Sequence, residues 1–434
     1  MKIKSILLLF FLSLIACNSE KEVPFDSKNL IESNRALLEI AMEDGFSPPQ
    51  ASRIYVYSHI AFYSCLSKYF PDSLTSLSKA IPHFPELPEP EAGSDPILSS
   101  LIAFCNTAKS IVFSESLADQ LKDKYITLAK ENNFTPEKIA SSITTAEKIS
   151  TRISEWIKKD NYQFTRTLER YTSSKKPDEW RETPPDYTQG LEPHWPKLRK
   201  LFSDSMPAYP FQKLPTYSKE KSSDFFKMVL DVHTKSKNLS KEESEIALFW
   251  DDNPNVSSHH GHLSHVTHKI SPPGHWLNII SQIQKDKNFT IFQLSKAYTY
   301  SSIVMYDGII DCWKLKYDTK VIRPISFIHD FIQEDWKPLI QTPPFPEFTS
   351  GHSVVSASAA EVLSTLIGTK VSFTDSTEVL FGNKPRSFNS FHDAAMEVSL
   401  SRYYGGIHYM QSVLEGNKQG IYLANYFLEK LNIK

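Results

Sequence analysis

With 434 residues, 40% of them hydrophobic and 23% charged, the chain can bury an ample core as one large domain or two ordinary ones. Its net charge of −2 excludes the electrostatic footprint of a nucleic-acid binder, so any anion site must come from locally clustered Lys and Arg. Glycine is scarce, 13 of 434, as suits a mainly helical chain, because glycine weakens helix interiors.

At the N-terminus, Lys2 and Lys4 precede an apolar stretch from Ile6 to Ile15, too short to span a bilayer and suited to a signal-peptide core. It ends in Leu14-Ile15-Ala16-Cys17, which resembles a bacterial lipoprotein box. That resemblance implies a signal peptide over residues 1–16, a lipidated Cys17 and a polar tether through residue 28. It also implies a place in the bacterial cell envelope, on the periplasmic or outer-membrane face, with membrane contact through the lipid. Cys65, Cys105 and Cys312 remain, at spacings that match neither a zinc site nor a disulfide framework. Buried free thiols are the expectation, with a bridge from Cys105 to Cys65 or Cys312 left open.

Further along, helical periodicity dominates. Leu30 to Met42 reads as a helix that breaks at Gly45-Phe46-Ser47-Pro48-Pro49, and Ala51 to Leu66 as a second. Ile149, Ile153, Trp156 and Ile157 form one apolar stripe, and Ile421 to Leu431 a short amphipathic helix. Ile81 to Pro96 reads as an extended loop. Tyr171 to Tyr217, which contains Pro184, Pro185, Pro193, Pro207, Pro210 and Pro215, must wrap the domain or cover a site. No strand-type alternation is sustained. The fold class expected is all-α: a single large helical-bundle domain over residues 29–434, with long Pro-rich loops.

Three segments of the last third carry the candidate chemistry. The first runs from Trp313 through Lys316 to Arg323-Pro324. On a continuous helix Lys316 and Arg323 would share a face two turns apart, although Pro324 disfavours helix at Arg323. The second is Phe345-Pro346-Glu347-Phe348-Thr349-Ser350-Gly351-His352, followed by a Ser/Ala/Val-rich helix to Ile367 and Gly368. Ser350 suits a helix N-cap, and the free amides and positive dipole end there suit an anion. In the third, Ser401-Arg402-Tyr403-Tyr404-Gly405-Gly406-Ile407-His408, a helix should end at the glycine pair and leave His408 beyond a bend.

Taken alone, the first segment reads as a solvated basic face, the second as a capping Ser with an incidental His, and the third is ambiguous. Together, Lys-x6-Arg-Pro, Ser-Gly-His and Ser-Arg-x3-Gly-x-His in that order resemble the superfamily of vanadium-dependent haloperoxidases and type 2 phosphatidic acid phosphatases. Trp313 and Phe345, with Ser47-Pro48-Pro49, Phe249-Trp250-Asp251-Asp252 and Pro272-Pro273-Gly274-His275-Trp276, look like the bacterial haloperoxidase-like lipoprotein branch. That likeness spans nearly the whole mature chain, with the motif-bearing core at about 245–434.

The resemblance implies an enzyme with a vanadate cofactor that oxidises halide, iodide or bromide, with hydrogen peroxide. Lys316, Arg323, Ser350, Gly351 and Arg402 would cradle the oxyanion, His408 would be the axial vanadium ligand, and His352 the acid–base. Asp252, in preference to Asp251, would orient a pocket arginine, while Trp313 and Phe345 would wall the halide side. The alternative is a phosphatase in which His408 attacks a phosphoester and no vanadate is needed; a non-catalytic binding protein is a third reading. Many phosphatases of the superfamily place an Asp four residues after this histidine, where the chain has Ser412, leaving only Glu415 nearby as a substitute. That departure favours the peroxidase. Halide choice, organic acceptor and oligomeric state are open.

One further cluster, His259, His260, His262, His265, His268 and His275, lacks the Cys or Glu of a metal first shell. It reads as structural or loop histidines, with His275 in a turn after Pro272-Pro273.

Overall fold

The computed structural model describes residues 21–174, 176–254, 256–260, 263–267 and 269–433. Cys17, His262 and His268 lie outside these residues.

Helix α1 (Ser27–Glu43) begins inside the segment expected as a tether, because Asp26 caps it through Lys28 N and Phe25 is buried against Tyr125 and Phe134. The tether is therefore shorter than the sequence suggests. Helix α2 (Pro48–Tyr69) follows the Ser47-Pro48 start, since proline is tolerated where helical N–H groups have no partner. Next come α3 (Pro96–Lys109), α4 (Glu115–Glu131), α5 (Pro136–Ile157) and the single turn α6 (Tyr162–Thr165).

No long element forms between Thr165 and Asp224, and this stretch wraps the domain. Its amides at Leu201, Phe202 and Ser203 donate to the buried Asp307 carboxylate at 2.7, 2.9 and 2.9 Å, and the Leu191 carbonyl accepts from Trp313 Nε1 and the Tyr317 hydroxyl. Buried backbone donors need partners, and these side chains supply them without a sheet. The extended loop before α3 is as expected.

The C-terminal half contains α7 (Asp224–Lys237), α8 (Lys241–Phe249), a hairpin of β1 (Val256–His260) and β2 (Leu263–Thr267), and α9 (Pro272–Lys287). After these come α10 (Ile291–Thr319), α11 (Pro324–Phe331), α12 (Gly351–Ile367), a small hairpin of β3 (Phe373–Asp375) and β4 (Arg386–Phe388), α13 (Phe391–Tyr404) and α14 (Met410–Lys430). The two hairpins escaped the sequence reading because each is too short to sustain alternation. Helix α14 begins eleven residues before Ile421, so Ser412 and Glu415 ride on its first turns.

Helix α12 packs on α10, α13 and α14, and α2 packs on α3 and α10. The α12–α14 contact depends on two glycines. A Cβ on Gly416 would stand 2.8 Å from the Ser350 carbonyl, and one on Gly420 would collide with the Val354 carbonyl. Without side chains there, α14 lies against the first turns of α12 and fixes the position of the Ser350 cap. Among the described residues no helix is long and apolar enough to cross a membrane. Cys65, Cys105 and Cys312 are free and buried.

Candidate active site

The site gathers where α10 ends and α12 begins. Helix α10 stops at Thr319, with Lys320 in the left-handed region (φ 51°) and Arg323 as the N-cap residue before α11. Lys316 and Arg323 therefore meet through a turn and not along one helix face, as a continuous helix would have had it.

Lys316 is fully buried and donates to the carbonyls of Pro346 (3.1 Å), Glu347 (2.9 Å) and Thr349. An ammonium has three N–H donors, so all are taken by the chain itself. Burial pushes its pKa down to about 8, while three carbonyl acceptors favour the charged form. Lys316 thus shapes the 346–349 segment and contributes charge from behind; as a direct oxyanion donor it would have to release a carbonyl.

Arg323 donates through Nε to the Phe345 carbonyl (2.9 Å) and through Nη1 to the Ile407 carbonyl (2.8 Å) and His408 Nε2 (3.1 Å). Its Nη2 is buried without a partner. Arg402, in the last turn of α13, donates through Nη1 to the carbonyls of Trp250 (2.8 Å) and Asp251 (3.2 Å), and its Nε is likewise unpartnered. Burial pulls both guanidinium values down, Arg323 to about 10, which still leaves them charged at neutral pH.

Beyond α13 the chain turns at Gly406 (φ 80°), a conformation glycine adopts without strain, and brings His408 back toward α12. His408 Nδ1 stands 2.7 Å from Glu347 Oε1, and the other carboxylate oxygen accepts from the Ser412 hydroxyl at 2.7 Å. A guanidinium can only donate, so His408 Nε2 is the acceptor of Arg323 and Nδ1 carries the proton toward Glu347. The imidazole is thereby held neutral with its Nε2 lone pair facing the cleft. Burial, then the nearby Arg323, Lys316 and Arg402, keep its pKa well below the usual value.

Glu347 was quoted in the sequence only as part of a motif, and its role was not foreseen. Glu347 supplies the carboxylate that position 412 lacks, and Ser412 donates to it. Glu415, the substitute considered above, is engaged elsewhere, with the Gln212 amide and Lys418. A signal was present: a lone Glu in an apolar Pro/Phe run beside Ser-Gly-His is expensive to bury without a partner.

Ser350 caps α12; its oxygen accepts from Ser353 N (3.4 Å) and Ser353 Oγ (2.9 Å), which leaves its own hydroxyl proton free. Gly351 and His352 line the cleft with His408, Arg402, Trp313 and Phe345, and with Pro48, Pro272 and Pro273. His352 Nε2 is buried without a partner. Burial, then Arg402, hold His352 well below the usual histidine value, partly countered by a bond to the Asp251 carbonyl. The Trp313 and Phe345 rings lie 4.9 Å apart, with the charges of Lys316 and Arg323 over Phe345 at 5.1 and 5.0 Å.

Asp252 does not reach an arginine. Its carboxylate bonds His275, whereas Asp251 approaches Arg402 through its carbonyl and, at 4.0 Å, its carboxylate. The preference between the two aspartates is reversed by the turn at Asp252 (φ 41°). His275 is also not in a loop: it lies in the first turn of α9, fully buried.

A family model described as the VCPO second helical-bundle domain matches residues 296–433, the stretch that holds every residue of the three motifs. A bacterial vanadium-dependent iodoperoxidase of known crystal structure is 37% identical, with a TM-score of 0.88, over 95% of this chain and 99% of its own. The chain belongs to the vanadium-dependent haloperoxidase family. Holo-type and apo-type structures of a bacterial vanadium-dependent chloroperoxidase share the fold, at 14% and 13% identity and TM-scores of 0.62 and 0.61. They cover 90% and 87% of this chain and 95% and 93% of theirs. No curated protein sequence matches the chain.

A buried donor without a partner is costly, about 1–3 kcal/mol for a neutral group and more for a charged one. Arg323 Nη2 and Arg402 Nε are two such donors, the first on the guanidinium that bonds His408 and the second on a residue that shares the His408 cleft. That donor set fits a multiply charged tetrahedral oxyanion, and so fits vanadate.

Proposed function

We propose that the protein is a vanadate-dependent haloperoxidase that oxidises iodide or bromide with hydrogen peroxide to hypohalous acid. The observation that carries this reading is a set of unpartnered buried nitrogens, Arg402 Nε and His352 Nε2 on residues that share a cleft with His408, and Nη2 of Arg323, which bonds His408 through Nη1. The 37% identical iodoperoxidase supports the choice of iodide.

His408 Nε2, which faces Arg323 Nη1 in the structure, would hold the vanadium. The Arg323 and Arg402 charges, the Ser350 hydroxyl and the Gly351 amide would bind the remaining oxygens. Bound vanadate supplies a Lewis-acidic centre that activates peroxide toward halide. The net reaction, H2O2 + I− + H+ → HOI + H2O, consumes one proton. His352 Nε2, kept unprotonated and unpartnered at the cleft, is placed to take a proton from peroxide and return one to the departing oxygen. Trp313, Phe345 and the prolines that line the cleft would strip water from a large, weakly hydrated halide. The Cys17 box supports a lipid-anchored protein in the cell envelope.

The phosphatase reading gains from the structure. A carboxyl group on Nδ1 and an unprotonated Nε2 are what a nucleophilic histidine needs, so Ser412 does not argue against phosphoester hydrolysis. The deciding experiment compares vanadate-loaded protein, assayed with peroxide and each halide, with vanadate-free protein assayed on p-nitrophenyl phosphate. Iodide oxidation that is lost in His352→Ala while vanadate stays bound is the expected result. Efficient phosphate release with no halide oxidation after loading would replace the peroxidase by the phosphatase.

A further inference from the structure

His275 has no place in the mechanism above, yet it sits at the centre of a buried polar bridge. Its Nδ1 lies 2.8 Å from Asp252 Oδ1 and its Nε2 lies 2.7 Å from Asp375 Oδ2, and all three side chains are enclosed. Two carboxylates on opposite ring nitrogens call for a doubly protonated imidazole, and they hold its pKa well above the usual value against the opposing effect of burial.

Both ends of the bridge are anchored. On one side, Asp375 ends β3 and its Oδ1 accepts from Thr377 N (2.9 Å), Thr377 Oγ1 (2.6 Å) and Gln282 Nε2 (3.2 Å). On the other, Asp252 adopts a left-handed conformation (φ 41°) that a residue with a Cβ rarely takes without a compensating contact. The Trp250 ring lies 4.6 Å from the His275 ring, and its Nε1 donates to Glu397 at 2.9 Å. The turn held in this way, Trp250-Asp251-Asp252, supplies the carbonyls that accept from Arg402 Nη1, and the Asp251 carbonyl also bonds His352.

We propose that His275, bridged between Asp252 and Asp375, is a positioning residue that sets the Trp250–Asp252 turn and through it the aim of Arg402 and His352. The small β3–β4 hairpin is then more than surface decoration, since it delivers the carboxylate that closes the bridge. The proposal rests on the reading that Arg402 binds the oxyanion.

A divalent cation is the competing occupant. Ligand atoms of Asp252, His275 and Glu378 lie within 4.8 Å of one another, and Glu378 Oε1 is buried without a partner. Against a cation, both nitrogens of His275 already serve carboxylates. Burial, with Asp252 beside it, also pushes Glu378 up to about 8, toward its uncharged acid.

The test measures vanadate binding by equilibrium dialysis, and thermal stability, in full-length His275→Ala and Asp375→Asn. Arg402→Ala serves as the positive control. His59→Ala is the control for destabilisation alone, because His59 is a fully buried histidine bonded to Asn34. Supports that orient first-layer groups typically carry about 10–100-fold in affinity. We expect a loss of that size in His275→Ala, a smaller loss in Asp375→Asn, and none in His59→Ala despite its lower Tm. If His275→Ala does not fold, Asp375→Asn decides, since it keeps the side-chain shape and removes the charge. Wild-type vanadate affinity in a folded bridge variant overturns the proposal, as does a stoichiometric divalent metal whose removal by EDTA reproduces the loss. Unchanged affinity in Arg402→Ala would instead show that the oxyanion site itself was misassigned.

Discussion

Glu347 and His408 are 61 residues apart in the chain and 2.7 Å apart in space, with the carboxylate on Nδ1 and Arg323 on Nε2. The pair fixes the tautomer of the ring that is to bind the central atom of the oxyanion. It also accounts for Ser412, whose hydroxyl donates to the second oxygen of the same carboxylate. Burial pushes Glu347 toward its acid form, while the Ser412 hydroxyl, Arg323, Lys316 and the Tyr409 amide oppose that shift.

Glu347→Gln should therefore weaken vanadate retention by about 10–100-fold while leaving the fold intact, because the amide oxygen can still accept from Nδ1 but brings no charge. Glu347→Ala should in addition lower Tm, since His408 Nδ1, the Ser412 hydroxyl and the Tyr409 amide all lose their acceptor. Vanadate titration and calorimetry on both variants check this; equal vanadate affinity in Glu347→Gln and wild type would contradict it.

Arg402 and Lys316 should separate into a binding and a structural residue. Arg402→Ala removes a donor whose Nε has no partner in the protein, and vanadate binding should fall by roughly 2–5 kcal/mol. Lys316→Met strands three carbonyls, so its first effect should be on stability, on the order of 1–3 kcal/mol for each buried group left unpaired. A Lys316→Met protein with unchanged Tm would refute this division.

On acidification, buried histidines and buried carboxyls should pull the stability of the vanadate-free protein in opposite directions, since burial raises Asp307 to about 7 and Glu378 to about 8. His59, His352 and His408 are all held below their ordinary value, chiefly by burial, His59 at about 3. Below about pH 6.5 the unfolded chain takes up protons that the folded chain refuses, so their stabilisation is present above that pH and lost as pH falls. His59 alone should account for about 1.4 kcal/mol per pH unit in that window. His275 has the opposite sign and its stabilisation is retained throughout acid. Calorimetry from pH 7.5 to 5 should show acid costing wild type more stability than it costs His59→Gln, which lacks the histidine term; the same pH dependence in both proteins would be the contrary result.

Anchoring is tested most simply at Cys17. The Cys17→Ser protein should leave the membrane fraction of the producing bacterium and appear soluble. Wild-type protein already in the soluble fraction would remove the lipid anchor.

From the sequence alone one could read the helical class, the break at the glycine pair of residues 405 and 406, and the three motifs whose residues meet at one cleft. Those features are local: helix periodicity, capping and turn residues act within a few positions, and motif order survives without knowledge of packing. What holds the motif residues in place was not local. Glu347 beneath His408, Asp251 in place of Asp252 on Arg402, and Asp375 behind His275 all depend on turns at Lys320, Gly406 and Asp252, each in the left-handed region. No periodicity encodes which of two adjacent aspartates such a turn presents. Burial then decides the chemistry, because a charge removed from water must find a partner at hydrogen-bond distance, however far away along the chain that partner lies.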